Sequence, residues 1–302
     1  MLARIRVAHP LLFALIAYLV FFLGLNGMGR VTGVLVDTCF GGDAGILGGL
    51  LVDMACEAVP ALLLYLVLFR TGRLGLLTKK GRGFAAGLRT GGYCLGFIAA
   101  AAGQALLAGF AQGYGINLAG ASVVYVLFML MVGVTEEIVA RALIAETFLE
   151  HFGTAREGAL RAALASGVIF GAMHLTNAIG GNLPGTMIQV SLCVTAGVLY
   201  AAVYFRSGNL WSIVLIHGLN DVAAGTVEWL FNGGAYLPTT STGIEPADLV
   251  IPIIIGVLDL VAAFYVLRPK KADEIRQAWP EIQAPEIQAS EIQASENGET
   301  AA

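Results

Sequence analysis

Three short polar clusters hold the residue types that can move protons and stabilise developing charge. Their members are two adjacent carboxylates with an arginine, a lone imidazole, and an imidazole followed by a carboxylate: Glu136, Glu137 and Arg141; His174; His217 and Asp221. A free carboxylate can act as a general base on water, and an imidazole can relay protons or donate to an oxyanion. The combination suits hydrolysis by an activated water.

The first cluster lies at the end of the fourth apolar segment of the chain. Glu137 and Arg141 are four residues apart with the glutamate first, which is the better order for an ion pair along a helix. Glu136 is rotated by about 100° from Glu137 around that helix. One carboxylate can therefore be neutralised while the other stays free to act. The alternative is a solvated helix end below the membrane.

The other two clusters lie inside apolar segments, where an ionisable side chain is costly and usually faces a cavity or a partner. Phe170 and His174 share one helix face, and His217 and Asp221 have the same four-residue spacing. A carboxylate one turn from an imidazole can orient the ring. The alternative for His174 is a histidine satisfied by a neighbouring helix, whereas the polar group beside His217 is harder to attribute to packing.

The composition indicates that lipid surrounds these clusters. The 302 residues are 57% hydrophobic and 13% charged, whereas about a quarter of a soluble domain is charged. The mean hydropathy is +0.79. No basic run suggests nucleic-acid binding, and the 4 scattered cysteines are interpreted as packing residues. An all-α, polytopic membrane bundle is predicted, with about eight transmembrane helices: 10–29, 45–69, 84–111, 119–140, 159–178, 185–205, 209–232 and 247–267.

The distribution of Lys and Arg predicts the orientation of the bundle. With eight spans and a cytoplasmic N-terminus, 16 of the 17 basic residues fall on the cytoplasmic side, and only Arg30 lies in an outer loop. We expect an integral protein of a bacterial plasma membrane with both termini in the cytoplasm. Gly83, Gly87 and Gly91 recur at four-residue spacing, which lets helix backbones approach closely in lipid.

The chain is predicted to consist of a membrane domain and a tail. Residues 1–271 contain all the spans. Residues 272–302 contain a five-residue repeat in which Glu-Ile-Gln-Ala is followed by Pro or Ser. The repeat is too short and polar to bury a core, so a disordered cytoplasmic tail is predicted.

Helix geometry places the polar clusters at similar depths. At 1.5 Å per residue, Glu136 and His174 lie about 21 and 26 Å above the cytoplasmic helix ends, and His217 about 14 Å above its own. The fourth, fifth and seventh helices are expected to converge on one polar pocket that is entered from the cytoplasmic side. Other acidic residues within the spans could line a transport path and are assigned no catalytic role: Asp53, Glu57, Glu228 and Asp259.

In order and spacing, the clusters resemble the signatures of the CAAX-processing and bacteriocin-processing (CPBP) family of intramembrane endopeptidases, the Abi-type membrane proteases. The family motifs are EExxxR, FxxxH, and HxxxN or HxxxD. The matching residues, within a resemblance that covers residues 119–232, are Glu136-Glu137-x-x-x-Arg141, Phe170-x-x-x-His174 and His217-x-x-x-Asp221. The stretch 208–211 also resembles the usual lead-in to the third motif.

This chain departs from the family pattern at three positions. Ala140 and Ala142 flank the arginine where many bacterial members have Phe and Gly. Asp221 stands where Asn is commoner. An ionised Asp accepts hydrogen bonds but cannot donate them, so Asp221 is expected to orient His217 rather than to hold an oxyanion itself.

The resemblance implies an intramembrane endopeptidase that hydrolyses peptide bonds of membrane-anchored proteins or peptides. Glu136 would be the general base, His174 would position the water and shuttle its proton, and His217 would stabilise the oxyanion. Glu137 and Arg141 would hold the fourth helix and its charge balance. Candidate substrates are prenylated C-terminal sequences and bacteriocin leader or signal peptides.

Two alternatives remain open at this stage. Glu136, His174 and His217 could bind a catalytic zinc ion, but no HExxH-type pair places two ligands on one helix, so a reaction without a metal cofactor is favoured. A non-catalytic bacteriocin-immunity protein or small-solute transporter is the rival function, although no internal repeat of the kind common in transporters is evident.

Overall fold

The computed structural model describes residues 1–42, 45–116, 120–179, 182–231 and 249–282. Within these ranges the chain is helical throughout, with connecting turns and no β-strand. An all-helical chain is what a bilayer favours, because a helix satisfies every backbone N–H and C=O group without water. The prediction of an all-α polytopic bundle is confirmed.

The helices follow one another with short connections. Their bounds are α1 Leu2–Ala8, α2 Pro10–Phe40, α3 Gly45–Arg70, α4 Gly75–Thr78, α5 Phe84–Thr90, α6 Gly92–Ala111, α7 Gly120–Glu137, α8 Glu146–Phe152, α9 Arg156–Met173, α10 Leu183–Ser207, α11 Leu210–Ala224, α12 Val250–Val266 and α13 Ala272–Ala278. Wider π-helical turns cover Ile138–Ala145 and Val227–Phe231, and tighter 3-10 turns cover His174–Ala178 and Pro269–Lys271.

The number of helices long enough to cross a bilayer is smaller than the sequence suggested. Among the described residues, 6 helices meet the length and composition of a span, or 7 if α12 and its continuation past a 58° bend count as one. The seventh predicted span is the 15-residue helix α11. The fourth is longer than predicted, because α7, the π-helical turn and α8 run on as far as Phe152.

One half of the bundle is closely packed. Every residue of two stretches, 138–149 and 198–205, is buried there. In this half α10 packs against α9 and α12, and α2 packs against α3. We call it the packed half; it also carries the chain termini and the basic segments. The opposite half, where α9 leads to α10 and α11 ends, is called the open half.

Two glycines of the predicted four-residue pattern allow helices to touch. A Cβ on Gly87 would lie 2.0 Å from the Ser212 hydroxyl, and one on Gly91 would lie 2.4 Å from the Ile216 side chain. Both contacts are far inside van der Waals distance, so α5 and α6 can lie against α11 only with glycine at these positions. Gly83 has open space around it and plays no such part.

The beginning of the predicted tail is ordered. The Trp279 side chain is fully buried, and its indole N–H donates to the Phe205 carbonyl at 2.9 Å. The Lys79 ammonium lies 3.8 Å from the centre of the indole ring. The prediction of disorder after Lys271 is therefore wrong for residues 272–282, because one buried tryptophan provides an anchor that the repeat pattern does not reveal. Residues 283–302, with most of the repeat, lie outside the described residues.

Candidate active site

The two adjacent glutamates lie at the point where α7 widens into a π-helical turn. Glu136 and Glu137 are the last residues of α7, and Arg141 lies in the π-helical stretch that follows. Such π-helical turns are rare and are found frequently at functional sites. The carboxylates point in different directions, as the helical rotation between neighbouring residues predicts.

Glu137 is completely buried and is held by two cationic or ring N–H donors. The Arg141 guanidinium donates to it through Nε at 2.8 Å and Nη2 at 3.3 Å. His217 Nδ1 lies 2.8 Å from Glu137 Oε1. Since a carboxylate held by arginine accepts rather than donates, His217 Nδ1 carries the proton of this bond. Glu137 therefore joins α7 to α11 and fixes the orientation of the His217 ring.

Arg141 has partners on three sides. Its Nη1 donates to the Ser166 hydroxyl at 3.4 Å and to the Gly197 carbonyl at 3.3 Å. The guanidinium also lies 4.8 Å from the centre of the Phe170 ring. A buried charge is tolerated when it is paired and hydrogen-bonded in this way. The predicted ion pair is thus present as the centre of a network that connects α7, α9 and α10.

His217 turns its second nitrogen toward two further carboxylates. Nε2 lies 3.8 Å from Glu136 Oε2 and 3.5 Å from Asp221 Oδ2. The expectation that Asp221 fixes the ring is therefore incomplete. Glu137 makes the close bond to Nδ1, and Asp221 lies on the opposite side of the ring, facing the cavity. Sequence spacing could not show this, because Glu137 is 80 residues away in the chain.

His174 is oriented by the backbone of its own helix. Its Nδ1 lies 2.9 Å from the Phe170 carbonyl, which can only accept, so Nδ1 donates. The free Nε2 then lies 3.9 Å from Glu136 Oε2. The Phe170 ring stands at a steep angle to both imidazoles, with centroids 5.1 Å from His174 and 5.8 Å from His217. Phe170 therefore packs as a spacer between the two histidines.

Glu136 differs from its neighbour in having no close polar contact within the described part of the chain. Its side chain is 18% exposed, and the two imidazole Nε2 atoms lie on either side of Oε2 at 3.8 and 3.9 Å. These separations exceed a hydrogen bond and suit a molecule bridged between the groups. The structure thus brings the three sequence clusters to one point, at the end of a cavity.

The cavity has a volume of about 820 Å³. Its lining includes all four cavity-facing groups of the site: Glu136, His174, His217 and Asp221. From them it extends past Gln189, Gly225 and Trp229, which belong to the open half of the bundle. Below the site, the packed half is closed. Entry from the end with the basic segments, as the sequence suggested, is therefore not what the fold provides.

Two buried acidic groups near the site have partners that the sequence did not reveal. The Glu57 carboxylate accepts a hydrogen bond from the Thr135 hydroxyl at 2.7 Å, one residue before Glu136. Asp259 accepts from the Tyr93 hydroxyl at 3.1 Å and lines the same cavity. Both were noticed as acids within spans, but their partners lie on distant helices, which spacing along one helix cannot show.

The donor set of the candidate zinc site was examined for its fit to a metal ion. Zinc ligands lie about 2.0–2.2 Å from the ion. Across the residues that the structure describes, no group of three His, Cys, Asp or Glu side chains has an arrangement that could hold an ion. Glu136, His174 and His217 therefore surround a space that is not shaped for a metal.

Comparison with known proteins points in the same direction as the geometry. Residues 118–223 match a family model described as type II CAAX prenyl endopeptidase, Rce1-like. This range contains all three sequence motifs and the helices that position them. Residues 118–223 form a CPBP-family intramembrane protease domain. The protein is thus an integral membrane endopeptidase. No curated protein and no solved structure matches the chain.

Proposed function

We propose that this CPBP-family chain cleaves peptide bonds of membrane-anchored substrates with a water molecule activated by Glu136. The observation that carries the proposal is the position of Glu136 Oε2 between the Nε2 atoms of His174 and His217. A water held there has an acceptor for its proton and lies at the end of a cavity that can admit a peptide.

Glu136 is the general base in this proposal. Its carboxylate is the free member of the glutamate pair, since Glu137 is occupied by Arg141 and His217. It takes a proton from the water as the water oxygen attacks the peptide carbonyl. His174, whose free Nε2 faces the same point, positions the water and passes the proton to the leaving amine.

His217 stabilises the tetrahedral oxyanion. Because Nδ1 is held by Glu137, the ring can turn only Nε2 toward the cavity. An Nε2–H is present when the ring carries both protons, a state that the surrounding carboxylates stabilise. Asp221, 3.5 Å from Nε2, holds that proton in line until the oxyanion forms. Donors fixed before the reaction in this way contribute strongly to catalysis.

We further propose that the reaction proceeds without a metal cofactor. The support is the absence, among the described residues, of a three-residue group able to hold an ion. Cleavage by the purified protein should continue after treatment with EDTA. Loss of cleavage in EDTA, together with recovery on adding zinc, would contradict this part of the proposal.

The substrate is proposed to be a protein or peptide attached to the membrane. The matching family model is described as a prenyl endopeptidase, and much of the cavity lining is apolar or aromatic, including Phe97, Phe128 and Trp229. With the basic segments in the cytoplasm of a bacterial cell, the cavity extends toward the outer side of the membrane. That geometry favours maturation of exported peptides over cleavage of cytoplasmic prenylated proteins.

The decisive experiment compares peptide termini in cells that produce either the wild type or Glu136→Gln at matched levels. The substitution keeps the size of the side chain and removes the base. A matched control is Glu157→Gln, at a side chain that is 70% exposed. New termini that appear with wild type and Glu157→Gln, and disappear with Glu136→Gln, would support the proposal and identify the substrate. Identical termini in all three, with folded protein, would favour an immunity or transport role.

A further inference from the structure

A second cavity lies on the side of the packed half, away from the candidate active site. Its volume is about 590 Å³, and it is bordered by α5, α10, α12 and α13. Its lining contains five basic side chains and one carboxylate: Arg82, Arg89, Arg206, Arg268, Lys271 and Glu274. The cavity therefore has a net formal charge of +4.

This charge is not neutralised by the protein itself. Glu274 is shared by Arg82, Arg206 and Lys271. Arg89 has no ion pair and no hydrogen bond to any described residue. Arg268 donates only to the Tyr265 carbonyl, at 2.7 Å, and lies over its ring. Two guanidinium groups are thus available to an anion at the mouth of the cavity.

A nearby cluster shows what an internally balanced arrangement looks like. Under α2 and α3, the guanidinium groups of Arg6 and Arg73 pair with the carboxylates of Glu146 and Glu150. Two positive charges meet two negative charges there. The excess around Arg89 and Arg268 therefore stands out against a neutral cluster at the same end of the bundle.

The wall beside the charges is apolar and faces outward. Leu258, Val261 and Tyr265 of α12 line the cavity, and 48%, 59% and 64% of their surfaces are exposed. On a transmembrane helix, such side chains face the lipid chains. The cavity thus joins a cationic end near the membrane edge to a hydrocarbon-facing groove, which suits an amphipathic anion.

We propose that this cavity binds an anionic phospholipid, with its phosphodiester between Arg89 and Arg268 and an acyl chain along α12. Guanidinium groups match phosphate oxygens in a fixed fork of N–H donors. Basic pockets between transmembrane helices are known to bind anionic head groups. The bilayer supplies the ligand in the plane of the groove. A soluble phosphate ester offers the same anion but leaves the apolar wall uncovered.

The test uses native mass spectrometry of the full-length protein in detergent. Micelles would contain equal amounts of phosphatidylglycerol and phosphatidylcholine. The wild type is expected to retain phosphatidylglycerol at least tenfold more than phosphatidylcholine. The double substitution Arg89→Gln and Arg268→Gln should remove most of that preference. The matched control is Arg4→Gln with Arg161→Gln, which removes the same charge at the same end of the bundle from side chains outside the cavity.

Each outcome decides the proposal. Preference that survives the double substitution, or that falls equally in the control, would overturn the site. Equal retention of both lipids by the wild type would overturn it as well. A competition arm adds glycerol phosphate in large excess. Displacement of the lipid by this soluble ester would show that the cavity takes a free phosphate instead, whereas continued lipid binding supports the groove along α12 as part of the site.

Discussion

The packed half and the open half of the bundle meet between two neighbouring residues of one helix. Glu137 belongs to the packed half, where it is fully buried and bonded to Arg141 and His217. Glu136 faces the cavity of the open half and has no close partner among the described residues. The same side chain, displaced by one position, thus serves structure in one half and is available for chemistry in the other.

The comparison teaches that helical rotation alone can separate two roles. About 100° divides successive residues, so one carboxylate points at α9, α10 and α11 while the next points at open space. A charge in the packed half must be paired, since an unpaired buried charge is very costly. In the open half, solvent or substrate can take that place. The predictions below test this division, beginning with the largest effect.

Glu136→Gln should abolish cleavage while leaving the fold intact. Loss of a general base lowers the rate about 10²–10⁴-fold, and the removed charge has no close partner whose loss would destabilise the protein. The measurement is the rate of cleavage of an identified substrate by purified protein, together with its thermal unfolding midpoint. An active Glu136→Gln variant would remove the carboxylate from the mechanism.

Glu137→Gln should destabilise the protein as well as inactivate it. The substitution leaves the Arg141 guanidinium buried without its counter-ion, which costs about 3–5 kcal/mol for a buried pair. The measurement is the unfolding midpoint in detergent, compared directly with Glu136→Gln. A Glu137→Gln variant as stable as the wild type would show that the two halves do not differ in the way described.

Asp221→Asn should have a smaller effect, within about tenfold in rate. Asn keeps an oxygen toward His217 Nε2 and adds a donor, and the bond that fixes the ring is made by Glu137. The ratio of cleavage rates for the two proteins is the measurement. A loss as large as that of Glu136→Gln would mean that Asp221 itself participates in the chemistry.

Chemical access to the two halves should differ even though no activity is measured. A cysteine introduced at Gln189, which lines the cavity in the open half, should react with a membrane-impermeant thiol reagent in a background without native cysteines. A cysteine at Ala163, fully buried in the packed half, should not. Labelling of Gln189→Cys from the outer side of intact cells checks the direction of the cavity. Labelling only after the cytoplasm is opened would contradict that direction.

Much of the fold and the site could be predicted from the sequence. Long apolar segments identify transmembrane helices, because lipid leaves the backbone few other choices. Intramembrane Glu, His and Asp residues mark a site, because hydrocarbon makes isolated charges costly. The pairing of Glu137 with Arg141 also follows from helix periodicity alone.

The rest depends on how helices pack, which a single chain does not show. The bond between Glu137 and His217 crosses from α7 to α11, and the Tyr93–Asp259 bond crosses from α6 to α12. The side on which the cavity lies is set by where packing stops. The docking of Trp279 under the Phe205 carbonyl is decided by one residue in a segment whose repeat pattern indicates disorder.

The π-helical turn at Ile138–Ala145 has a consequence for how the long helix that ends at Phe152 tolerates insertions and deletions. It sets the angular phase between the glutamate pair above it and α8 below it, where Glu146 meets Arg73. Deleting one residue from 142–145 would leave Glu137 and Arg141 in register and turn α8 by about 100°. The wide turn thus lets one continuous helix keep its chemistry and its anchorage on independent dials, so a length change there should loosen the anchorage without moving the carboxylates.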